Sequence, residues 1–145
     1  MKPVCIGADH AGFILKEYLK SRLNDAGIGF EDVGTFEQAS VDYPDYAAQV
    51  AKAVQEGRCE YGVLVCGSGE GMVMSANKFS GIRAGLAWNT EVATLLKQHN
   101  NAQIICFGAR FTAPEYAWTM LSAFLQAKFE EGNHARRVQK LGELC

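Results

Sequence analysis

Short apolar runs alternate with longer amphipathic ones along this chain, and each run can be read as an element. Pro3–Ala8 predicts a first strand. Gly12–Ala26 predicts a helix, with Phe13, Leu15, Tyr18, Leu19 and Leu23 at mostly helical spacing. Ile28–Val33 reads as a second strand, followed by the turn-rich stretch GTFEQASVDYPDY. A second helix is expected from about Asp45 to Glu56, stopped by Gly57. Gly62–Cys66 is continuously apolar, which suits a central parallel strand buried on both faces. A third helix should start within the glycine loop that follows and reach Asn77. Ile82–Ala87 is the fourth strand. Asn89 suits the cap of a fourth helix, with Glu91 in the first turn, where the helix dipole favours negative charge. Gln103–Phe107 is the fifth strand, a fifth helix begins near Thr112–Pro114, and a polar sixth starts around His134.

Five strand–helix alternations predict a doubly wound α/β fold, a Rossmann-like three-layer α/β/α sandwich. Its sheet is expected to be five-stranded and parallel, with an extra helix at the C-terminus. No repeat or linker divides the chain, so residues 1–145 read as one domain. Ligands in such folds bind outside the carboxyl ends of the strands. That directs attention to Asp9-His10, Gly34–Tyr43, Cys66–Gly71, Trp88-Asn89 and Gly108–Arg110.

Composition narrows the classes. The 145 residues are 48% hydrophobic and 21% charged, with a formal net charge of −2, ordinary for a globular protein. There is no basic run to attract nucleic acid, and no apolar stretch near the roughly 18 residues of a membrane helix. The N-terminus lacks a signal-peptide pattern, so a cytoplasmic location is expected. The five cysteines are scattered without a C-x-x-C pair, which argues against zinc ribbons and thioredoxin-like redox motifs. No metal is expected.

The chemistry concentrates in Cys66-Gly67-Ser68-Gly69-Glu70-Gly71. Between strand and helix, backbone N–H groups of such a loop can converge on an anion or a developing oxyanion. Neither the P-loop nor the dinucleotide fingerprint is present. Cys66 stands where helix dipole and amides favour a thiolate, suited to act as nucleophile or as base, although a core cysteine ending a strand fits the periodicity equally well. Glu70 suits a helix first turn or an added carboxylate. Asp9 and His10 end the first strand, Tyr43 lies in a turn beside Pro44, and Arg110 follows the fifth strand. His99 ends the fourth helix, where a cation is favoured. His134, Arg136 and Arg137 form a small basic cluster suited to phosphate. This inventory reads as one face gathering a thiol, an amide cradle, two histidines, an aspartate and several arginines, fit for proton transfer on a small phosphorylated substrate.

Taken together and in order, Asp9-His10-Ala11-Gly12, Asp42-Tyr43-Pro44, Cys66-Gly67-Ser68-Gly69-x-Gly71, Ser75-Ala76-Asn77-Lys78, Gly81-Ile82-Arg83-Ala84, Gln98-His99-Asn100, Phe107-Gly108-x-Arg110 and the His134…Arg137 segment resemble the B-type ribose-5-phosphate isomerases. That wider family also includes galactose-6-phosphate and allose-6-phosphate isomerases. The resemblance implies that Cys66 is the base moving a proton between C1 and C2, over an anion hole from Gly67, Ser68, Gly69 and Gly71. It implies that Asp9 and His99 serve sugar binding and ring opening, that Asn100 steadies the intermediate, and that Tyr43 lines the pocket. His10, Arg110 and Arg137 are implied to hold the phosphate. It further implies a homodimer, in some members paired into a tetramer, with sites built from both subunits, and no cofactor. Asn133 stands where the family pattern has an arginine, so Arg136 or Arg110 is expected to compensate. Trp88 is expected near the pocket mouth. These departures leave galactose 6-phosphate, allose 6-phosphate or a tetrulose 4-phosphate as alternative substrates. Two other classes are a non-catalytic phosphate-binding module and a thiol-dependent transferase or hydrolase.

Overall fold

A computed structural model of the chain describes residues 2–144, so Cys145 lies outside the described residues. Five strands, β1 (Val4–Ala8), β2 (Phe30–Asp32), β3 (Tyr61–Cys66), β4 (Ala84–Leu86) and β5 (Ile104–Gly108), form one parallel sheet in the order β2-β1-β3-β5-β4. The helices are α1 (Phe13–Asp25), α2 (Tyr43–Gln55), α3 (Glu70–Ala76), α4 (Thr90–Gln98), α5 (Pro114–Gln126) and α6 (Asn133–Gly142), and a single 3₁₀ turn spans Ala109–Phe111. The three inner strands match the expected runs to within a residue or so. The two edge strands are shorter than their apolar runs, since each has a partner on one side only. α2 starts two residues earlier than expected because Pro44 fits the first turn, where no N–H is needed. Asn89 caps α4 as expected, its side-chain oxygen accepting from Val92 N–H at 2.7 Å.

One rule explains which helix lies on which face. Crossovers between parallel strands are right-handed, so every step in one direction along the sheet puts its helix on the same face. The steps β1→β2 and β4→β5 run one way, and α1 and α4 share a face, joined by α5. The steps β2→β3 and β3→β4 run the other way, and α2 and α3 share the opposite face. Side chains on each strand alternate accordingly. Val63, Val65, Ile105 and Phe107 meet α1, α4 and α5, while Leu64, Cys66, Ile104 and Cys106 meet α2 and α3. The chain therefore leaves β1 and β3 toward opposite faces, as it does β3 and β5, and a cleft opens at the carboxyl ends of these inner strands. Among the described residues, no helix is long and apolar enough to cross a membrane.

A buried lysine ties α1 to the sheet edge. Lys16 is fully buried, with Nζ 2.6 Å from Asp32 and 2.8 Å from Glu17, while Lys20 lies 2.8 Å from both carboxylates. Burial pushes the Asp32 carboxyl up, but hydrogen bonds from Lys16, Lys20 and the Gly34 N–H outweigh it and hold it below the usual aspartate range. Asp32→Asn should therefore cost about 3 kcal/mol, because it strips a buried ammonium of its main partner. A depressed carboxylate contributes stability above its ordinary pKa of 3.8 and loses it as pH falls through the folded value. Urea unfolding of both proteins should show the gap between them narrowing below about pH 4.

Candidate active site

Two tight backbone approaches shape the mouth of the cleft. Gly69 adopts φ +81°, and a Cβ there would lie 2.5 Å from Leu86 Cδ1 and 2.9 Å from the Phe107 carbonyl carbon. A Cβ on Gly108 would lie 2.5 Å from the Ser68 carbonyl oxygen. Only glycine lets the loop after β3 fold down against the end of β5. The turn brings the Gly69 N–H to 3.2 Å from Cys66 Sγ, which accepts it. Cys66 is 5% exposed, the last residue of β3, and the first-turn amides of α3 follow directly.

The walls are built from the other strand ends. Asp9 follows β1 and is buried, its Oδ1 accepting from Gly12 N–H at 3.0 Å. Gly12 in turn lies so close to Val65 that a Cβ would sit 2.3 Å from its carbonyl oxygen, which locks the start of α1 against β3. His10 Nδ1 accepts from Val41 N–H at 3.2 Å, so this ring is held with its Nε2 edge free of that contact. The Tyr43 ring covers Gly71, where a Cβ would meet the ring at 2.5 Å. The Arg110 guanidinium lies over Gly67, 3.1–3.3 Å from the position a Cβ would take, while the Arg110 N–H donates to the Gly67 carbonyl at 3.0 Å. Ser68 is exposed with Oγ 3.4 Å from Glu70 N, and Glu70 opens α3 on the surface. Trp88, just past β4, is 66% exposed at this same edge.

The remaining sequence-selected residues lie elsewhere. A helix following a parallel strand runs back toward the amino edge of the sheet, so α4 carries His99, at its C-cap, about 13 Å away from the carboxyl edge. Asn100 sits beside it, its carbonyl accepting from Arg83 Nε at 3.1 Å. α5 returns to that amino edge as well, and α6 starts there with Asn133, His134, Arg136 and Arg137. The backbone N–H of Glu130 donates to Gln98 O at 3.0 Å, which fixes this segment under α4. The expectation that one face of the chain gathers the thiol, the amide cradle, two histidines, an aspartate and several arginines is therefore corrected for the single chain. Asp9, His10, Tyr43, Cys66–Gly71 and Arg110 share the carboxyl edge; His99, Asn100, Asn133, Arg136 and Arg137 share the amino edge.

The sequence reading missed Glu130. Its carboxylate Oε1 is 3.5 Å from His99 Nε2 and 3.9 Å from His134 Nε2, and the two imidazoles stack with centroids 4.0 Å apart. Helical spacing offered no signal, because Glu130 precedes α6 and the turn at Glu131 and Gly132 is what brings it beside His134.

The Ribose/Galactose Isomerase family profile matches residues 4–141. Ribose-5-phosphate isomerase B of Escherichia coli is 41% identical over 141 residues, covering 97% of this chain and 95% of its own. A D-erythrulose-4-phosphate isomerase of Pectobacterium atrosepticum is 38% identical over 144 residues, covering 98% and 94%. The crystal structure of a ribose 5-phosphate isomerase from Thermotoga maritima matches with a TM-score of 0.97 at 40% identity, covering 99% of both chains. Ribose-5-phosphate isomerase B from Mycoplasma genitalium, solved with bound ribulose-5-phosphate, matches with a TM-score of 0.92 at 35% identity, covering 97% and 94%.

The four described thiols differ in a way that labelling can read. Cys5 and Cys106 are fully buried, and burial pushes both thiols far up; Cys59 is raised too, by burial and by Glu31. Iodoacetamide on the native protein should modify Cys66 at least about tenfold faster than Cys5, Cys59 or Cys106, as read by peptide mass spectrometry. Faster labelling at any of those three would remove the case for Cys66 as the reactive thiol.

Proposed function

The chain belongs to the ribose/galactose isomerase family, and we propose that it interconverts ribose 5-phosphate and ribulose 5-phosphate with Cys66 as the base. The observation that carries this reading is the thiol held 3.2 Å from a backbone amide, in a loop whose glycines leave no room for a side chain. In the aldose-to-ketose direction, the Cys66 thiolate takes the proton from C2 of the open-chain sugar. The electrons move into a cis-enediolate, whose oxygens face Ser68 and the amides of the Gly67–Gly71 loop. Each well-placed donor of this kind is typically worth about 3 kcal/mol in the transition state. The same thiol returns the proton to C1, which needs only one base above both carbons. Tyr43 lines the sugar channel, Asp9 holds a sugar hydroxyl, and His10 and Arg110 bind the phosphate. The bound phosphate fixes the reacting carbons over Cys66.

Ring opening is the step the resemblance gives to Asp9 with His99, and His99 lies at the amino edge of its own chain, away from Cys66. We assign the step to the partner's His99 in a homodimer, with the partner's Asn100 and the partner's Arg137 completing the site. Support comes from the fold itself, since α4 and α6 present these residues a helix length from Cys66. Phe36, Trp88 and Phe111, exposed by 69%, 66% and 81% at the carboxyl edge, offer apolar surface for such a contact. No cofactor takes part in this scheme. The free thiols at Cys5, Cys59, Cys66 and Cys106 suit a reducing cytoplasm.

Cys66→Ala should fold normally and lose about a thousandfold in kcat. Retained turnover would move the base elsewhere, with Glu70 the next carboxylate to replace. A panel of ribose 5-phosphate, allose 6-phosphate, galactose 6-phosphate and erythrulose 4-phosphate identifies the substrate; preference for another sugar would keep the chemistry and make Asn133 and Trp88 the specificity determinants. Binding without turnover of any of them by a folded dimer would favour a phosphate-binding module.

The shared site has its own test. Cys66→Ala and His99→Asn chains, each inactive alone, should regain about a quarter of wild-type activity after subunit exchange, because half the dimers then hold one intact site. No recovery in a verified heterodimer would overturn the shared-site assignment.

A further inference from the structure

We propose that His99, Glu130 and His134 form a binding site for a divalent transition-metal ion of the zinc type, and that occupancy there inhibits the enzyme. These are the residues whose donor atoms, one from each, lie within 4.8 Å of one another among the described residues. Glu130 Oε1 is 3.5 Å from His99 Nε2 and 3.9 Å from His134 Nε2. Both separations are long for hydrogen bonds. They approach the spacing of two ligands on one tetrahedral zinc, whose bonds of about 2.0–2.1 Å put neighbouring donors roughly 3.4 Å apart.

The set is preorganised along the backbone. Glu130 N–H is bonded to the Gln98 carbonyl, one residue before His99, at 3.0 Å. Glu131 and Gly132 then take φ values of 61° and 57°, and this turn brings His134 back over His99. The two rings stack 11° from parallel, so one must rotate about its χ angles to aim its lone pair at a shared ion. Side-chain exposures of 39% for His99 and 27% for His134 leave room for that rotation. Two imidazoles and a carboxylate are a frequent zinc donor set, and the exposed side of the cluster leaves a fourth position for water.

The binding half of the proposal stands on this geometry. The inhibitory half rests on the ring-opening role assigned to His99, because an imidazole bound to a metal cannot exchange protons with a sugar. In the proposed dimer the cluster opens into the partner's cleft, so metal and sugar would reach His99 by the same route.

Binding is measured by zinc calorimetry and by cobalt(II) absorption, in the Cys66→Ala background so that the reactive thiol cannot compete. One ion per chain should bind, and adding Glu130→Gln or His134→Ala should weaken it about tenfold or more. Unchanged zinc affinity in both variants would overturn the site. Inhibition is measured with Cys66 in place. Zinc should slow the ring-closed aldose reversibly, with recovery on adding EDTA, and the Glu130→Gln enzyme should be at least tenfold less sensitive. Metal bound at the cluster without any inhibition would keep the site and count against the ring-opening role of His99, so the two readings fail separately.

Discussion

The position of the Cys66 thiol depends on a contact between two pieces of backbone. The loop after β3 lies against the end of β5 so closely that neither Gly69 nor Gly108 has room for a methyl group. If the loop stood away from β5 by the width of one methyl, the Gly69 amide would swing out of reach of the sulfur. The Arg110 guanidinium over Gly67 and the Tyr43 ring over Gly71 continue the same pattern, with side chains from other elements resting directly on backbone. A surface made of peptide groups suits an anionic intermediate. Its dipoles are already oriented and need no reorganisation when charge develops.

Behind this loop the sheet does the aiming. β3 is the middle strand, flanked by β1 and β5, and the end of each contributes one group: Asp9, Cys66 and the turn carrying Arg110. Alternation along β3 sends Cys66 toward α2 and α3, the face from which Tyr43 arrives. Cys106, which shares that face on β5, is a thiol of another kind. Burial pushes its thiol well up from the ordinary range, which suits a packing atom, whereas Cys66 is the sulfur that the proposed mechanism uses.

The parts of this fold readable in the sequence were those with redundant signals. β1, β3 and β5 are continuous apolar runs because both faces of a parallel sheet are covered, and their limits agree closely with the structure. β2 and β4 are shorter than their apolar runs, although Val33 and Ala87 just past their ends still donate to Ile6 and Cys106 carbonyls at 3.0 Å. The glycine loop was recognisable from its spacing, but its purpose was not, because spacing alone does not tell a tight turn from an amide cradle. Periodicity likewise left Cys66 balanced between core and site. His99 is the instructive case. Its identity could be read from the chain, but its distance from Cys66 follows from the direction of α4, which a list of motifs in order does not display. Glu130 went unnoticed because a carboxylate in a charged, polar segment resembles any solvated residue until His99 is seen beside it.

The separation of the two edges also bears on how such a protein can diverge. Groups at the carboxyl edge are bound to the sheet by backbone contacts that tolerate almost no substitution. The amino edge carries Asn133, Arg136 and Arg137 exposed on α6. Replacing a residue there leaves the thiol and its amides untouched. With the shared site proposed above, a lineage could in this way retune which sugar phosphate it accepts through changes on one terminal helix, without disturbing Cys66 and the loop beside it.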